Sequence, residues 1–359
     1  MNYKVSIVKC NSYNSQEVRE SLIQSLKDID FNFKKNMKVL IKPNILGPYP
    51  PEKAVTTHPV VIEELCKILK KYNAKIIIGE SSAYNTNQSF EVSGIKKLSK
   101  YAEILNFESV PKKVFNINNI KIPLPKILFE VDLIINMAKL KTHCFTKVTL
   151  ASKNLYGCIP GKLKSLIHKK FPLEKDLSKV IFELNKIIKP QLNIIDGILG
   201  MEGEGPGTSG TPINSNLIIS GKNNFAVDII ASEVMGFNPY NIYTNKFSKI
   251  KKEDIKIIGS KNINLNFKKA KLTNLSFLSI FNILFPKPKI FFNHKKCTQC
   301  HVCEEKCPVQ AITLKPYPIC NHKTCVRCLC CIEVCPSNAI YLKENKIKET
   351  LKKFIEKFS

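Results

Sequence analysis

The chain has no tryptophan, only two arginines (Arg19 and Arg327) among its 56 basic residues, and 29 acidic ones. The scarcity of arginine argues against a nucleic-acid reader, because the planar guanidinium grips phosphates and guanine edges in a bidentate way that lysine cannot. Lysines are spread along the whole chain rather than massed in one tail. The formal charge of +27 therefore reads as a solvated basic surface, with attraction to an acidic protein or a small anion left open. Long apolar runs are missing too. The nearest, residues 275–285, is about half the roughly 18–20 residues that a spanning helix needs, and Ser276, Ser279 and Asn282 break it. No membrane span is expected. The first residues hold no sustained apolar core, so no secretory signal is expected and the cytoplasm is the expected location. With 14 glycines and 20 prolines against 44% hydrophobic residues, the chain is neither disordered nor fibrous, and 359 residues suggest roughly two domains.

Cysteine is plentiful. In a reducing compartment, 14 cysteines call for metal binding or catalysis rather than disulfides. Most lie in an internal repeat of period 28: NHKKCTQCHVCEEKCPVQAITL at 293–314 and NHKTCVRCLCCIEVCPSNAIYL at 321–342. Both copies carry C-x2-C-x2-C-x3-C-P. Three thiolates spaced by two residues can grip three iron corners of one cubane, while the fourth leads a short helix toward the other cluster. One 4Fe–4S cluster is therefore assigned to Cys297, Cys300, Cys303 and Cys335, and a second to Cys325, Cys328, Cys331 and Cys307. Zinc competes for paired C-x2-C motifs but does not need the triple spacing followed by Cys-Pro. Cys320 and Cys330 align with Phe292 and Val302 of the other copy and read as packing residues. His294 and His322 repeat each other and suit either donation to cluster sulfur or a solvated loop. The segment resembles bacterial two-cluster ferredoxins, which implies electron transport to or from a redox partner protein.

Before this region, short apolar runs alternate with helical patterns. Val5–Val8, Val39–Ile41, Lys75–Ile78, Val131–Ile135, Leu192–Ile195 and Leu217–Ile219 are Ile/Val-rich without polar alternation, as in parallel strands buried on both faces. Pro59–Lys71 and Asp176–Lys189 place their apolar residues on one helical face. The expected architecture is an α/β domain with a mainly parallel sheet over residues 1–285, a small α+β ferredoxin-type module over 286–342, and an amphipathic helix over 343–359.

Several polar residues follow the strand-like runs, where α/β folds place ligands. Lys42 and Asn44 follow the second run and Glu80 the third. Lys139, Lys141 and His143 follow the fourth, with Lys147, Lys153 and Asn154 after them. Lysines converging near a histidine suit a phosphate, carboxylate or nucleotide; decoration of a loop in a lysine-rich chain is the plainer reading. His143 alone reads as structural, and beside the lysines as catalytic or ligating. The stretch from Asp196 to Gly207 holds five glycines, whose backbone can approach a ligand closely; Gly197, Gly203 and Gly205 are the binding candidates. It is neither a Walker loop nor a dinucleotide fingerprint. Asp196, Glu202 and Glu204 suit a divalent cation, a general base or turn caps.

Over about residues 3–245 the chain resembles a family known only as domain of unknown function 362. The matching segments are VLIKPNIL, TTHPVVIEELCKILKKYNAKIIIGESSA, VDLIINMAKLKTHCFTKVTLASKNLYGC, NIIDGILGMEGEGPGTSGTP and FAVDIIASEVMGFNP. Some members carry the same ferredoxin extension, which implies electron transfer. His143 followed ten residues later by Lys153 is similar to nickel-pincer lactate racemases, although Ala151-Ser152 stands where those enzymes have paired glycines. The expected function is iron–sulfur electron transfer coupled to an α/β domain that binds a small anionic ligand, an oxidoreductase whose catalytic candidates are Lys42, Lys139, Lys141, His143 and Lys153. The alternatives are a non-catalytic electron carrier, or a racemase-like enzyme with purely structural clusters.

Overall fold

A computed structural model describes residues 3–161, 163–270 and 289–343. Fifteen strands and ten α-helices follow one another in it. The first half runs β1 (Tyr3–Lys9), α1 (Ser15–Asp28), β2 (Lys38–Pro43), α2 (Pro59–Lys70), β3 (Lys75–Glu80), α3 (Thr86–Val92), β4 (Glu103–Asn106), β5 (Lys112–Ile117), β6 (Ile120–Pro125) and β7 (Leu133–His143). Next come β8 (Lys147–Thr149), α4 (Ala151–Asn154), α5 (Leu163–Lys170), α6 (Glu174–Ile188), β9 (Leu192–Gly203), β10 (Gly210–Gly221), α7 (Asn224–Val234), α8 (Tyr243–Ser248) and β11 (Ile255–Gly259). The cysteine-rich part holds β12 (Lys289–Phe292), α9 (Val302–Glu305), β13 (Ile312–Leu314), β14 (Pro318–Cys320), α10 (Cys330–Glu333) and β15 (Ile340–Lys343).

Nine strands form one sheet in the order β11-β1-β10-β9-β7-β2-β3-β4, with β8 folded back on β7. The pairs β2–β3, β2–β7, β3–β4, β7–β9 and β1–β11 are parallel. The sheet is mostly parallel, as its Ile/Val runs predict, and helices cover both faces. Val39 and Ile41 of β2 pack with Val18 and Leu22 of α1 and with Leu65 of α2. Leu40, pointing the other way, packs with Leu177, Val180 and Leu184 of α6. Beside this second layer, α7 packs through Val227 and Ile230 onto Ile195 and Ile219. Helix starts follow the capping rules: Asn14 accepts from the N–H groups of Gln16 and Glu17, and His58 caps α2 with Pro59 at its first position.

Two readings of local structure change. The fourth run does not stop at Ile135; β7 continues to His143, buried along its whole length, so Lys139, Lys141 and His143 lie within a strand rather than in a loop. A buried lysine reads as a loop residue in a sequence because it is normally exposed, and only its tertiary partners reveal otherwise. The glycine-rich stretch likewise begins inside β9, which carries Asp196, Gly197 and Gly203. The sheet also extends past residue 245, through β11 beside β1. The expected module boundary near residue 286 and the closing helix from residue 344 onward lie outside the described residues.

The cysteine-rich module is a pseudo-twofold. Left-handed backbone recurs at positions 28 apart: Gln299 and Arg327, His301 and Leu329, Gln310 and Asn338. Asn293 N–H donates to Ala339 C=O at 2.7 Å, and Asn321 N–H donates to Ala311 C=O at the same distance, so the start of each repeat is tied to the end of the other.

Candidate functional site

The module docks on the end of the sheet from which β2, β3 and β7 emerge. Tyr84 Oη donates to Val334 C=O, and Thr208 and Ser209 hydroxyls each donate to Asn338 Oδ1 at 2.9 Å. Gly207 sits where a Cβ would come within 2.6 Å of Glu333 C=O, so this turn needs the missing side chain to let the module close. Between the two parts lies a cavity of ≈ 110 Å³. Its sheet-side wall includes Asn44, Glu80, Lys141, His143, Lys153 and Asn154, and its other wall includes Cys330, Glu333 and Val334 of the module.

A buried ion pair forms part of the floor. Lys42 Nζ lies 2.6 Å from Glu80 Oε2 and also donates to Pro43 C=O at 2.8 Å. Asn154 Oδ1 accepts from Lys42 at 3.3 Å and from Asn44 Nδ2 at 3.1 Å, joining α4 to β2. Glu80 also accepts from the N–H groups of Ser81 and Ile45. Burial pushes the Glu80 carboxyl up, and the Lys42 and Lys164 charges oppose that push. Such a pair is held by its hydrogen bonds, since removing one partner leaves a buried charge alone.

Above this floor the charges are less settled. The Lys141 amine donates to Val55 C=O at 2.8 Å and Pro206 C=O at 3.3 Å, and burial pushes its pKa down to about 7, helped by the Lys153 and Lys139 charges. His143 Nδ1 accepts from the N–H groups of Phe145 (3.0 Å) and Thr146 (3.3 Å), which leaves the proton on Nε2. Burial holds this imidazole neutral, reinforced by Lys153. Its Nε2 lies 3.4 Å from Glu333 Oε1. Lys153 is presented by α4, whose first N–H groups, on Ala151 and Ser152, both donate to Asp228 at 2.8 and 2.9 Å. The Lys153 ammonium rests 4.6 Å from the centre of the Tyr156 ring and, among the described residues, has no carboxylate within 4 Å. Burial pushes its pKa down and Glu333 opposes this.

The cavity also collects unpaired polar atoms. Asn44 Oδ1, Thr149 Oγ1, His168 Nδ1 and Glu333 Oε1 are buried without a hydrogen-bond partner among the described residues, and all four residues line it. Native interiors pair nearly all such atoms, so a cluster of orphans marks a place built for something else. Cation binding is disfavoured. His143, Cys144 and Glu333 bring ligand atoms within 4.8 Å of one another, but Lys141 and Lys153 stand beside them.

The cysteines form two groups. Cys297, Cys300, Cys303 and Cys335 line one small cavity, and Cys307, Cys325, Cys328 and Cys331 line another. The fourth cysteine of each repeat thus sits with the first three of the other. Ala311 N–H donates to Cys307 Sγ and Ala339 N–H to Cys335 Sγ, both at 3.2 Å. These soft, convergent thiols fit iron–sulfur ligation.

Comparison with known proteins matches two stretches of the chain. Residues 39–233, more than half of the chain, match the family model described as domain of unknown function (DUF362). The chain belongs to the DUF362 family. Residues 290–313 match a 4Fe-4S binding domain, so the module has an iron–sulfur electron-transfer role of ferredoxin type. A thylakoid-associated protein of Synechocystis sp., sll1697, is 28% identical over 254 residues, covering 67% of this chain and 77% of that protein. Among the described residues no helix is long and apolar enough to cross a membrane.

Within the DUF362 domain the candidates separate. Lys141, His143, Lys153, Asn44, Glu80 and Asn154 meet at the cavity, with Lys42 just beneath. Lys139 and Asp196 do not line it. They pair with each other at 2.8 Å, and Tyr13 and the His58 N–H complete a closed network around Asp196. Lys147 is taken by Glu174, and Glu202 by the Lys268 N–H. Gly197, Gly203 and Gly205 lie off the cavity; a Cβ on Gly205 would come within 2.2 Å of Thr142 C=O, a packing constraint. Cys330, read as packing, lines the cavity. Burial pushes the Cys158 thiol up to about 12 and Cys144 well above its usual range, so neither is a ready nucleophile. Reading the sequence missed Glu333, Lys164, His168 and Gly157. Only Glu333 left a trace there, as the repeat partner of Glu305.

Proposed function

We propose that the protein is a cytoplasmic oxidoreductase with two 4Fe–4S clusters, in which a small anionic ligand occupies the cavity between the DUF362 domain and helix α10. One observation carries this reading: the cavity that gathers Lys141, His143 and Lys153 is closed by Cys330 and Glu333, which flank the cluster ligand Cys331. The bound clusters supply one-electron transfer. The side chains do the rest. Lys153 offers positive charge to the anion, Lys141 stands beside it, and His143 offers its Nε2 proton. The Thr149 hydroxyl offers a further hydrogen bond to the anion. The Lys42–Glu80–Asn154 network keeps the floor rigid, while Lys139 and Asp196 fix the strand from outside. The size of the cavity, below the roughly 150 Å³ that holds benzene, favours a ligand of a few heavy atoms. Electrons are exchanged with a partner protein. Fourteen cysteines, eight of them proposed as cluster ligands, suit a reducing compartment.

The two thiol groups lead us to assign one cluster to Cys297, Cys300, Cys303 and Cys335 and another to Cys307, Cys325, Cys328 and Cys331. Anoxic reconstitution is expected to yield about eight irons and eight sulfides per chain and a visible absorbance that bleaches on reduction. Zinc in their place, or about four irons, would reject the two-cluster assignment. For the ligand, calorimetry with acetate and inorganic phosphate on the reconstituted protein is expected to show binding that Lys153→Ala removes; equal heats in both proteins would reject it.

A further inference from the structure

Of the lysines in and beside the cavity whose amines hydrogen-bond to the protein, one is arranged unlike the others. Lys42 and Lys139 each face a buried carboxylate, at 2.6 and 2.8 Å. Lys164 is enclosed by three oxygens, the carbonyls of Ser81 and Ser82 and the Ser81 hydroxyl, so every direction around its nitrogen is taken. Lys141 has neither arrangement. It is 1% exposed, its partners are two neutral carbonyls, and among the described residues no carboxylate lies within 4 Å of it. A tetrahedral nitrogen bonded to its own chain and directed at two carbonyls has one position left, and Lys141 lines the cavity. In the neutral amine that position is a lone pair.

We propose that Lys141 is a covalent site whose amine condenses with the carbonyl carbon of a small 2-oxo carboxylate. This rests on the reading of the cavity as an anion site and assigns its ligand class. The amine nitrogen bonds to the carbonyl carbon, one proton is taken from solvent, and the carbonyl oxygen leaves as water, giving an iminium. No electron is gained or lost. The iminium keeps one N–H for Val55 C=O and gives up the longer contact to Pro206. Its positive charge stands near Lys153, which is why the ligand needs a carboxylate beside its carbonyl. His143, with its proton on Nε2, is placed to donate to the departing oxygen. Four charged groups act on Lys141: Lys139 from its own strand, Lys153 from α4, Glu333 from α10 and Glu80 from β3. With burial they bring the amine to about 7, so it is available at neutral pH.

The test uses the cluster-loaded full chain under argon, with glyoxylate as probe and cyanoborohydride to trap the adduct, followed by peptide mass mapping. At pH 7 labelling of Lys141 is expected to exceed that of an average surface lysine by at least about tenfold, since ordinary lysines near pKa 10.4 are almost wholly protonated there. Lys141→Arg and Lys141→Met, checked for intact cluster absorbance, are expected to abolish it. Lys153→Ala is expected to cut labelling by glyoxylate more strongly than labelling by acetaldehyde, which loses only the help that the Lys153 charge gives to the neutral amine. Adducts confined to surface lysines would overturn the proposal. If glyoxylate raises the melting temperature of the wild type but leaves Lys141 unmodified, the imine falls and the anion site stands; if it does neither, both fall.

Discussion

Lys139 and Lys141 stand two residues apart on β7, both almost wholly enclosed, in opposite surroundings. Around Lys139 every group is answered: Asp196 takes its charge, Tyr13 Oη bridges the two, and the His58 N–H closes the second carboxylate oxygen. Around Lys141 the partners among the described residues are two neutral carbonyls, the Lys153 charge acts on it, and four buried polar atoms lining the same cavity have no hydrogen-bond partner among those residues. The closed network is what stability requires of a buried charge; the open one costs stability, and such costs concentrate where a fold binds something. The comparison teaches that buried lysine is not by itself a mark of function in this protein. What separates the two sites is whether the partners are complete.

Breaking the closed side should have the largest effect. Asp196→Ala leaves Lys139 charged and buried, and is expected to cost about 3–5 kcal/mol, read as a lower midpoint in chemical denaturation. Gly157→Ala comes next: a Cβ there would meet Glu80 Oε1 at 2.5 Å and Lys42 Nζ at 2.8 Å, so the floor must shift, at about 1–3 kcal/mol. On the open side, Lys153→Ala is expected to leave stability unchanged within about 1 kcal/mol, or to raise it, while removing anion binding. The smallest contrast lies between the repeats. Glu333→Gln is expected to alter acetate affinity, whereas Glu305→Gln, at the exposed equivalent position, should change stability by under about 0.5 kcal/mol and affinity not at all.

How much of this was legible in the sequence follows from the same contrast. The strand cores at residues 39–41, 75–78 and 192–195 could be read because apolar runs without alternation have few other uses in an α/β chain. The ferredoxin module could be read because its ligand spacing is dictated by the metal. Lys42, Asn44, Glu80, Lys141, His143, Lys153 and Asn154 were legible as a group from their positions at the carboxyl ends of strands. What could not be read was which lysines are already paired. Asp196 lies 57 residues beyond Lys139, and its partner Tyr13 lies 183 residues before it. Glu333 could not be told from Glu305, since both occupy the same place in the repeat and only docking against β7 and α4 buries one of them.

The central claim is that the cavity beside Cys330 and Glu333 holds a small anion next to a cluster of the second repeat. The most direct measurement is electron paramagnetic resonance of the reduced, fully loaded protein with and without acetate, in the wild type and in Lys153→Ala. Acetate is expected to change the signal of one of two clusters in the wild type and to leave that of Lys153→Ala unaltered. Identical spectra with and without acetate in the wild type, at concentrations spanning the millimolar range of weak ligands (about 4 kcal/mol), would contradict it.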